Sequence, residues 1–424
     1  ENDQFAPLFV SSKGRYIWSE RPFVLTAGQG KISCRGAGEI LLAEGFENLR
    51  GAYLAACRAH FPFSPALPDA RFFTHPQYNT WIELGTEQTT DNILRYAQGI
   101  LAHGLPAGIL MIDGGWQEDY GTFEFNKRKI PDPAQLIYDL HQMGFAVMVW
   151  VSPIVASAGT QYKMLRNKGY LLRDAAGEIA IRRWWSGYSA VLDLSNPEAA
   201  AWYHGQLRGL MARYGVDGFK FDAGDVYFYA DDDQAFRPML AREQTQVFNE
   251  VGAQYPLNEF RAAWKAGGTP IVARLHDKYH SWTDYGLNTL IPHTLLQGLL
   301  GYAYCCPDMV GGGILDCFQG GKKMDEELFV RWAQANCYMG MMQMSVSPWR
   351  VLSEENAALV VDALKRHGEL GETLYALARR AAETGEPITR HMAYAFPDEH
   401  LEQVNGVRML LNAAKYINMC NAGS

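Results

Sequence analysis

This chain has little that would attach it to a polyanion. Its 38 Lys and Arg are outnumbered by 46 Asp and Glu, and the formal net charge of −8 gives no electrostatic footprint for a phosphate backbone or an anionic lipid surface. Nucleic acid and membrane are therefore not expected as partners, and a homo-oligomer is left open. Long apolar runs are also missing. Stretches such as Thr294 to Cys306 are interrupted and fall short of the roughly 20 residues that cross a bilayer. Glu1 to Arg15 lacks the basic-then-apolar pattern of a signal peptide. Cysteines are few and odd in number, seven at Cys34, Cys57, Cys305, Cys306, Cys317, Cys337 and Cys420, two of them adjacent. That excludes a complete disulfide framework and favours a reducing, cytoplasmic location. With no CxxC pair, no His beside a Cys at zinc spacing and no GxxxxGK[ST] loop, no metal, nucleotide or other cofactor is implied.

What is present suits a large folded core. The 424 residues are 48% hydrophobic and 12% aromatic, with 41 Gly and 19 Pro, which excludes disorder, collagen and a coiled-coil rod. Residues 1–70 alternate apolar runs with Gly-rich turns and close in the Pro-rich connector Phe61 to Pro68, reading as a small N-terminal β-sandwich-like domain and linker. From residue 78 short apolar runs alternate with helical patterns. The runs are Tyr78–Leu84, Gly108–Asp113, Ala146–Ser152, Val216–Asp222, Ile271–His276, Tyr302–Pro307, Met341–Val346 and Ile388–Tyr394. Between them lie helical stretches such as Thr90–His103 and Pro133–Met143, and Asn196-Pro197-Glu198 opens another as an N-cap followed by Pro. Eight strands alternating with helices imply an α/β fold, a closed (β/α)8 TIM barrel over 71–396, with an open doubly wound sheet as the alternative. Two long connections, 156–195 and 226–268, fall on the βα side where barrels build sites. Residues 397–424 carry few strand signals and read as the remnant of a C-terminal β region.

Several expected strands end in a carboxylate or an aromatic residue: Asp113, Trp150, Asp222 and Asp308. In a barrel these ends converge on one mouth. A single Asp there is ordinarily a helix N-cap, but several converging suggest chemistry. Lys220 and Asp222 are two apart on a strand and so share a face, while Phe221 packs the other way. A Lys beside a carboxylate favours its ionised form, which suits a nucleophile, and Ala223-Gly224 beyond it allows close approach. Cleavage of a glycoside needs a second carboxyl as acid, held roughly 5–5.5 Å away in the retaining version. Spacing does not choose between Asp277 and Asp284. Trp282 offers Asp284 an apolar wall that would raise its pKa, whereas Asp277 beside Lys278 reads as an ion-pair partner. Aromatic residues bunch at the same ends, among them Trp81, Trp116, Trp150, Trp184, Trp185, Trp282 and Trp349, and ring faces of a sugar stack on such side chains.

The segments Tyr214 to Gly224, Arg183-Trp184-Trp185-Ser186-Gly187 with Val191-Leu192-Asp193, Pro307 to Gly312, and Gln343 to Trp349 resemble glycoside hydrolase family 31, within a branch that has many bacterial members. The likeness runs from about Phe72 to Pro397. It implies a barrel between β-sandwich domains and a retaining exo-α-glycosidase that needs no metal, with Asp222 as nucleophile and Asp284 as acid/base. It also implies a pocket for the terminal sugar lined by Asp113, Trp150, Trp185, Lys220, Arg274 and Asp308. Trp116, Trp282 and Trp349 join these as candidate substrate contacts. Gly114-Gly115 follows Asp113 where members of the family often carry a second Asp. The substrate expected is an α-galactoside or α-glucoside. A barrel that binds glycan without cleaving it is the alternative, and an aldolase-type Schiff base on Lys220 is a third reading.

Overall fold

Runs such as Ile109–Ile112 and Ala146–Val151 are too hydrophobic for a strand with a wet face, and each is buried at every position, as parallel strands covered on both sides must be. In the computed structural model, which describes residues 4–283, 285–397 and the backbone of 409–411, eight strands form one parallel sheet. They are β1 (Gln77–Asn79), β2 (Ile109–Ile112), β3 (Ala146–Val151), β4 (Gly218–Phe221), β5 (Asn258–Phe260), β6 (Ala273–Arg274), β7 (Cys305–Cys306) and β8 (Gln343–Met344). Their order is β7-β6-β5-β4-β3-β2-β1-β8. A parallel bridge between Met309 and Gln343, with the Val310 N–H donating to the Gln343 carbonyl at 2.8 Å, joins β8 to the chain just beyond β7 and closes the barrel.

Capped helices follow the strands as the sequence indicates. Asp132 and Asn196 are N-caps with Pro133 and Pro197 in the first turn, and the Asn196 side chain accepts the Glu198 N–H at 2.9 Å. The link from β5 to β6 differs. Its twelve residues, 261–272, contain no helix, only the short strand Ala263–Trp264. Such a link is near the lower limit for a parallel crossover.

The eighth strand is not the one the apolar runs indicate. Thr389–His391 pairs antiparallel with Met409–Leu411 outside the barrel, and the missing barrel strand is β5, inside the segment read as an insertion. Residues 397–424 otherwise lie outside the described residues, apart from Pro397 itself. The N-terminal segment holds a three-stranded sheet of Leu8–Ser11, Arg15–Ser19 and Ile40–Glu44, and a hairpin of Phe23–Gly28 and Lys31–Gly36. It also contains a helix, Leu49–His60, where only strands and a linker are expected from the sequence. Among the described residues no helix is long and apolar enough to cross a membrane, and six cysteines are free thiols.

The barrel interior is polar near its mouth. Trp150, Lys220 and Glu259 are in register on β3, β4 and β5 and share the inner face. Gln343 uses both amide hydrogens there, on Glu259 Oε2 at 2.7 Å and Gln77 Oε1 at 3.1 Å. The alternate residues of β4 face the helices: Phe221 stacks on Phe260 at 4.7 Å and meets Phe248 edge-on at 5.6 Å. Gly224 serves this packing rather than substrate access, because a Cβ there would lie 2.2 Å from the Phe248 ring. Gly224→Ala should therefore destabilise the protein by about 1–3 kcal/mol through overpacking. Denaturant midpoints should also show that Phe248→Leu in the same chain recovers part of the loss.

Candidate active site

The carboxyl ends of β1 to β7 and the loops beyond them enclose a cavity of about 490 Å³. Asp113 follows β2, Trp150 lies on β3, Lys220 and Asp222 come from β4, Arg261 follows β5, and Asp277 stands three residues beyond Arg274 of β6; all but Arg274 line the cavity. Trp185 reaches it from the turn between Ile181–Trp184 and Gly187–Val191, a hairpin built on the long connection after β3.

Asp222 is almost completely enclosed, and each of its oxygens is held. Oδ2 accepts the Trp150 indole N–H at 2.8 Å, and Oδ1 accepts the Ala223 N–H at 2.9 Å with Arg261 Nε 3.3 Å away. Burial alone would raise its pKa. Arg261, then Lys220 and Arg274, and the indole outweigh that and hold the carboxyl well below the usual carboxylate range. The backbone beside it is strained, since Ala223 has φ +55°, a left-handed conformation uncommon for a residue with a Cβ.

Around Asp222 the charges interlock. Lys220 Nζ lies 2.6 Å from Asp113 Oδ2, both side chains enclosed. Burial opposes the Lys220 charge, but Asp113, then Asp222 and Glu259, raise its pKa on balance against Arg274. Arg261 also pairs with Asp225 at 2.5 Å and lies over the Trp185 ring, 4.9 Å from its centroid. Arg274 Nη1 stands 2.7 Å from both Asp277 Oδ1 and Asp308 Oδ1, and its Nε is 3.3 Å from Glu259 Oε1. Burial raises Asp308, with Asp277 adding to it, and burial likewise raises Glu259. Asp277 is held down: burial would raise it, but Arg274, Arg261 and Lys220 outweigh that. The two carboxyls pushed up are thus sealed from the cavity, and Asp222 and Asp277, which line it, are pushed down.

Of the residues the sequence puts forward, Trp81, Asp113, Trp150, Trp185, Lys220, Asp222 and Asp277 line one cavity. Arg274 and Asp308 lie behind it, Asp308 accepting the Lys278 N–H at 2.8 Å through its second oxygen. Four of the tryptophans do not line it, and the first, Trp184, is buried against the Trp150 and Trp185 rings. Trp116 is fully buried, its indole donating to the Trp150 carbonyl at 2.8 Å, so it supports Trp150. Trp282 is 44% exposed and donates to Asp325 Oδ2, the N-cap of the helix Glu326–Asn336, at 2.7 Å. Trp349 stacks on His103, ring centroids 3.8 Å apart, against the helix Thr90–Ala102. Asp284 lies outside the described residues. Asp277 is paired with Arg274, as its neighbours suggest, and also lines the cavity.

Arg261 is the main residue that sequence reasoning missed. It stands two residues after Glu259, the same spacing that ties Asp222 to Lys220. Reading 258–260 as a strand would have found it. Lys220 is also not the cation in contact with Asp222; Arg261 is, and Lys220 pairs with Asp113.

An ionised Asp222 has a consequence for stability that needs no substrate. A carboxyl depressed on folding stabilises the protein above its unfolded pKa of about 3.9, and that contribution is lost as pH falls toward the folded value. Asp222→Asn should therefore flatten the fall in thermal midpoint between pH 5 and pH 3. Equal slopes in the two proteins would mean that Asp222 is not held ionised.

Comparison with known proteins agrees with this architecture. Residues 73–377 match the profile of the glycosyl hydrolases family 31 TIM-barrel domain. The chain is 31% identical over 353 residues to the myogenesis-regulating glycosidase of Mus musculus, covering 81% of this chain and 49% of that protein. It is 28% identical over 352 residues to the alpha-xylosidase XylQ of Lactiplantibacillus pentosus, covering 76% and 44%. It thus spans about half the length of the curated relatives it matches. A solved dextranase of the same family from Flavobacterium johnsoniae, complexed with glucose, superposes with a TM-score of 0.80 at 20% identity, over 96% of this chain and 53% of that one. At that identity the likeness is one of fold. The extent of the profile match and the identity to a curated glycosidase together establish that this chain belongs to glycosyl hydrolases family 31 and carries its TIM-barrel domain.

Proposed function

We propose that residues 71–396 form the catalytic barrel of a retaining exo-α-glycosidase that removes a terminal α-linked hexose, α-galactose or α-glucose, from a glycoside. The observation that carries this reading is the buried, cation-held Asp222 at the cavity wall. Relatives named alpha-xylosidase, alpha-glucosidase and sulfoquinovosidase support hydrolysis of a glycoside and do not choose the sugar. A barrel that only bound glycan would need no carboxylate with an oxygen left free to attack carbon.

In this mechanism Asp222 attacks the anomeric carbon as the bond to the aglycone oxygen breaks, giving a glycosyl ester. Of the four lone-pair sites of the carboxylate, Ala223 and Arg261 take the two on Oδ1 and Trp150 takes one on Oδ2, which leaves the second on Oδ2 to attack. The departing oxygen takes a proton from the acid, assigned to Asp284. Water then attacks the same carbon, returns a proton to Asp284 and frees Asp222, so the configuration is retained. Asp113 and Lys220 present a fixed ion pair to sugar hydroxyls, and Trp185 offers a ring face at the mouth.

The assignment of the two carboxyls is testable by leaving group. Asp222→Ala should be inactive on every α-hexoside, with azide restoring turnover through a product of inverted configuration. Asp284→Ala should still cleave a dinitrophenyl glycoside appreciably and a disaccharide hardly at all, because a leaving group that departs as a stable anion needs little protonation. Asp277→Ala should lose both alike, since it acts through Arg274. If Asp277→Ala alone shows the leaving-group split, the acid is Asp277. If the wild type turns over no α-glycoside, the binding reading prevails.

A further inference from the structure

Two arginines of the site, Arg261 and Arg274, stand at the carboxyl ends of β5 and β6, the one pair of neighbouring strands whose connection has no helix to hold it. The ladder between these strands is a single register pair, Phe260 opposite Ala273. The next carbonyls along, those of Arg261 and Arg274, are bridged by a residue more than 250 positions away. Gln4 is fully buried, and its amide NH₂ donates one hydrogen to the Arg261 carbonyl and the other to the Arg274 carbonyl, the latter at 2.6 Å. Its Oε1 accepts from Gln297 Nε2 at 2.9 Å, and Gln297 also donates to the Ala273 carbonyl at 3.2 Å. The segment around Gln4 is itself anchored to the same connection. Gln4–Phe5 pairs in parallel with Ala263–Trp264, and the Phe5 carbonyl accepts the Lys265 N–H at 3.0 Å and the Tyr302 hydroxyl at 2.9 Å.

Every hydrogen of the Gln4 amide is therefore spent on the backbone of an arginine whose guanidinium meets the site's carboxylates. Arg261 lies 3.3 Å from Asp222, and Arg274 lies 2.7 Å from Asp277 and Asp308. We propose that Gln4 is a positioning residue for the active site, a strap from the chain's N-terminal end that ties the ends of β5 and β6 and so fixes Arg261 against Asp222. A strand-end shift of about 1 Å at Arg261 would misplace the cation that orients Asp222, an error that costs about 100-fold in rate when it reaches the reacting group. This inference rests on Asp222 being the nucleophile.

The test compares three variants on an activated aryl α-hexoside. Gln4→Met keeps the length and removes both donors, so kcat should fall about 100-fold with KM little changed, since the cation acts on the nucleophile rather than on bound sugar. Gln297→Met leaves the Gln4 donors but frees its carbonyl, and should show a smaller loss of kcat. Phe5→Ala should match the wild type, because the Phe5 side chain is 46% exposed and its contacts to the connection run through its backbone. A folded Gln4→Met with wild-type kcat, or with only KM raised, overturns the proposal. If Gln4→Met does not fold, wild-type kcat in Gln297→Met overturns it. An inactive wild type would instead remove the glycosidase reading, and the strap is then read by hydrogen exchange. Gln4→Met, or Gln297→Met in its place, should deprotect amides of 261–266 and 274–277 while sparing 109–112, and unchanged protection there overturns the proposal.

Discussion

A carboxylate taken out of water must be compensated by cations that are themselves out of water, and in this barrel that requirement ties three strands together. Among the described residues, Lys220, Arg261 and Arg274 make ion pairs with six carboxyls: Asp113, Asp222, Asp225, Glu259, Asp277 and Asp308. Three cations cannot hold six carboxyls equally, and the excess settles where enclosure is tightest. Glu259 and Asp308, both fully buried, are pushed toward the protonated form, whereas Asp222 and Asp277, at the cavity, are held ionised. The barrel thus sorts identical chemical groups into different states by placement alone.

That sorting depends on the connection after β5. Elsewhere in the barrel a helix separates consecutive strands and packs their outer faces. Here twelve residues run directly to β6 and bring Arg261 to the nucleophile candidate. Loss of the helix leaves backbone to be held by other means. Asn249 supplies part of it, donating to the Ala262 carbonyl at 2.9 Å and accepting the Trp264 N–H at 3.2 Å, and Gln4 supplies the opposite side. The same stretch therefore carries both the site's charge and its mechanical support.

Much of this was legible in the residues, and the failures have a common cause. Lys220 and Asp222 could be placed together because Phe219 and Phe221 alternate with them and mark the strand. β5 could not be seen that way. Asn258-Glu259-Phe260 has one apolar residue in three, because Glu259 faces a polar interior and Asn258, on the outer face with Phe260, is spent on the Tyr255 and Pro270 carbonyls and the Val272 N–H. With the strand went Arg261. The apolar run Ile388–Tyr394 took its place in the count, although hydrophobicity there reflects packing outside the barrel. Tryptophans failed for a related reason: Trp116, Trp150 and Trp185 occupy similar positions in the sequence pattern, and only tertiary packing separates a ring that supports the wall from one that forms it.

The central claim is that Asp222, ionised by the cations around it, forms the covalent bond to the sugar. Trapping tests it most directly. A 5-fluoro-hexosyl fluoride of the accepted configuration slows hydrolysis of a glycosyl ester more than its formation, so the intermediate of a retaining enzyme accumulates. Peptide mass spectrometry of the inactivated protein should then place a single added fluorohexosyl group on the peptide containing Asp222, at that residue. A stable adduct on any other carboxylate, or inactivation with Asp222 unmodified, would contradict the account.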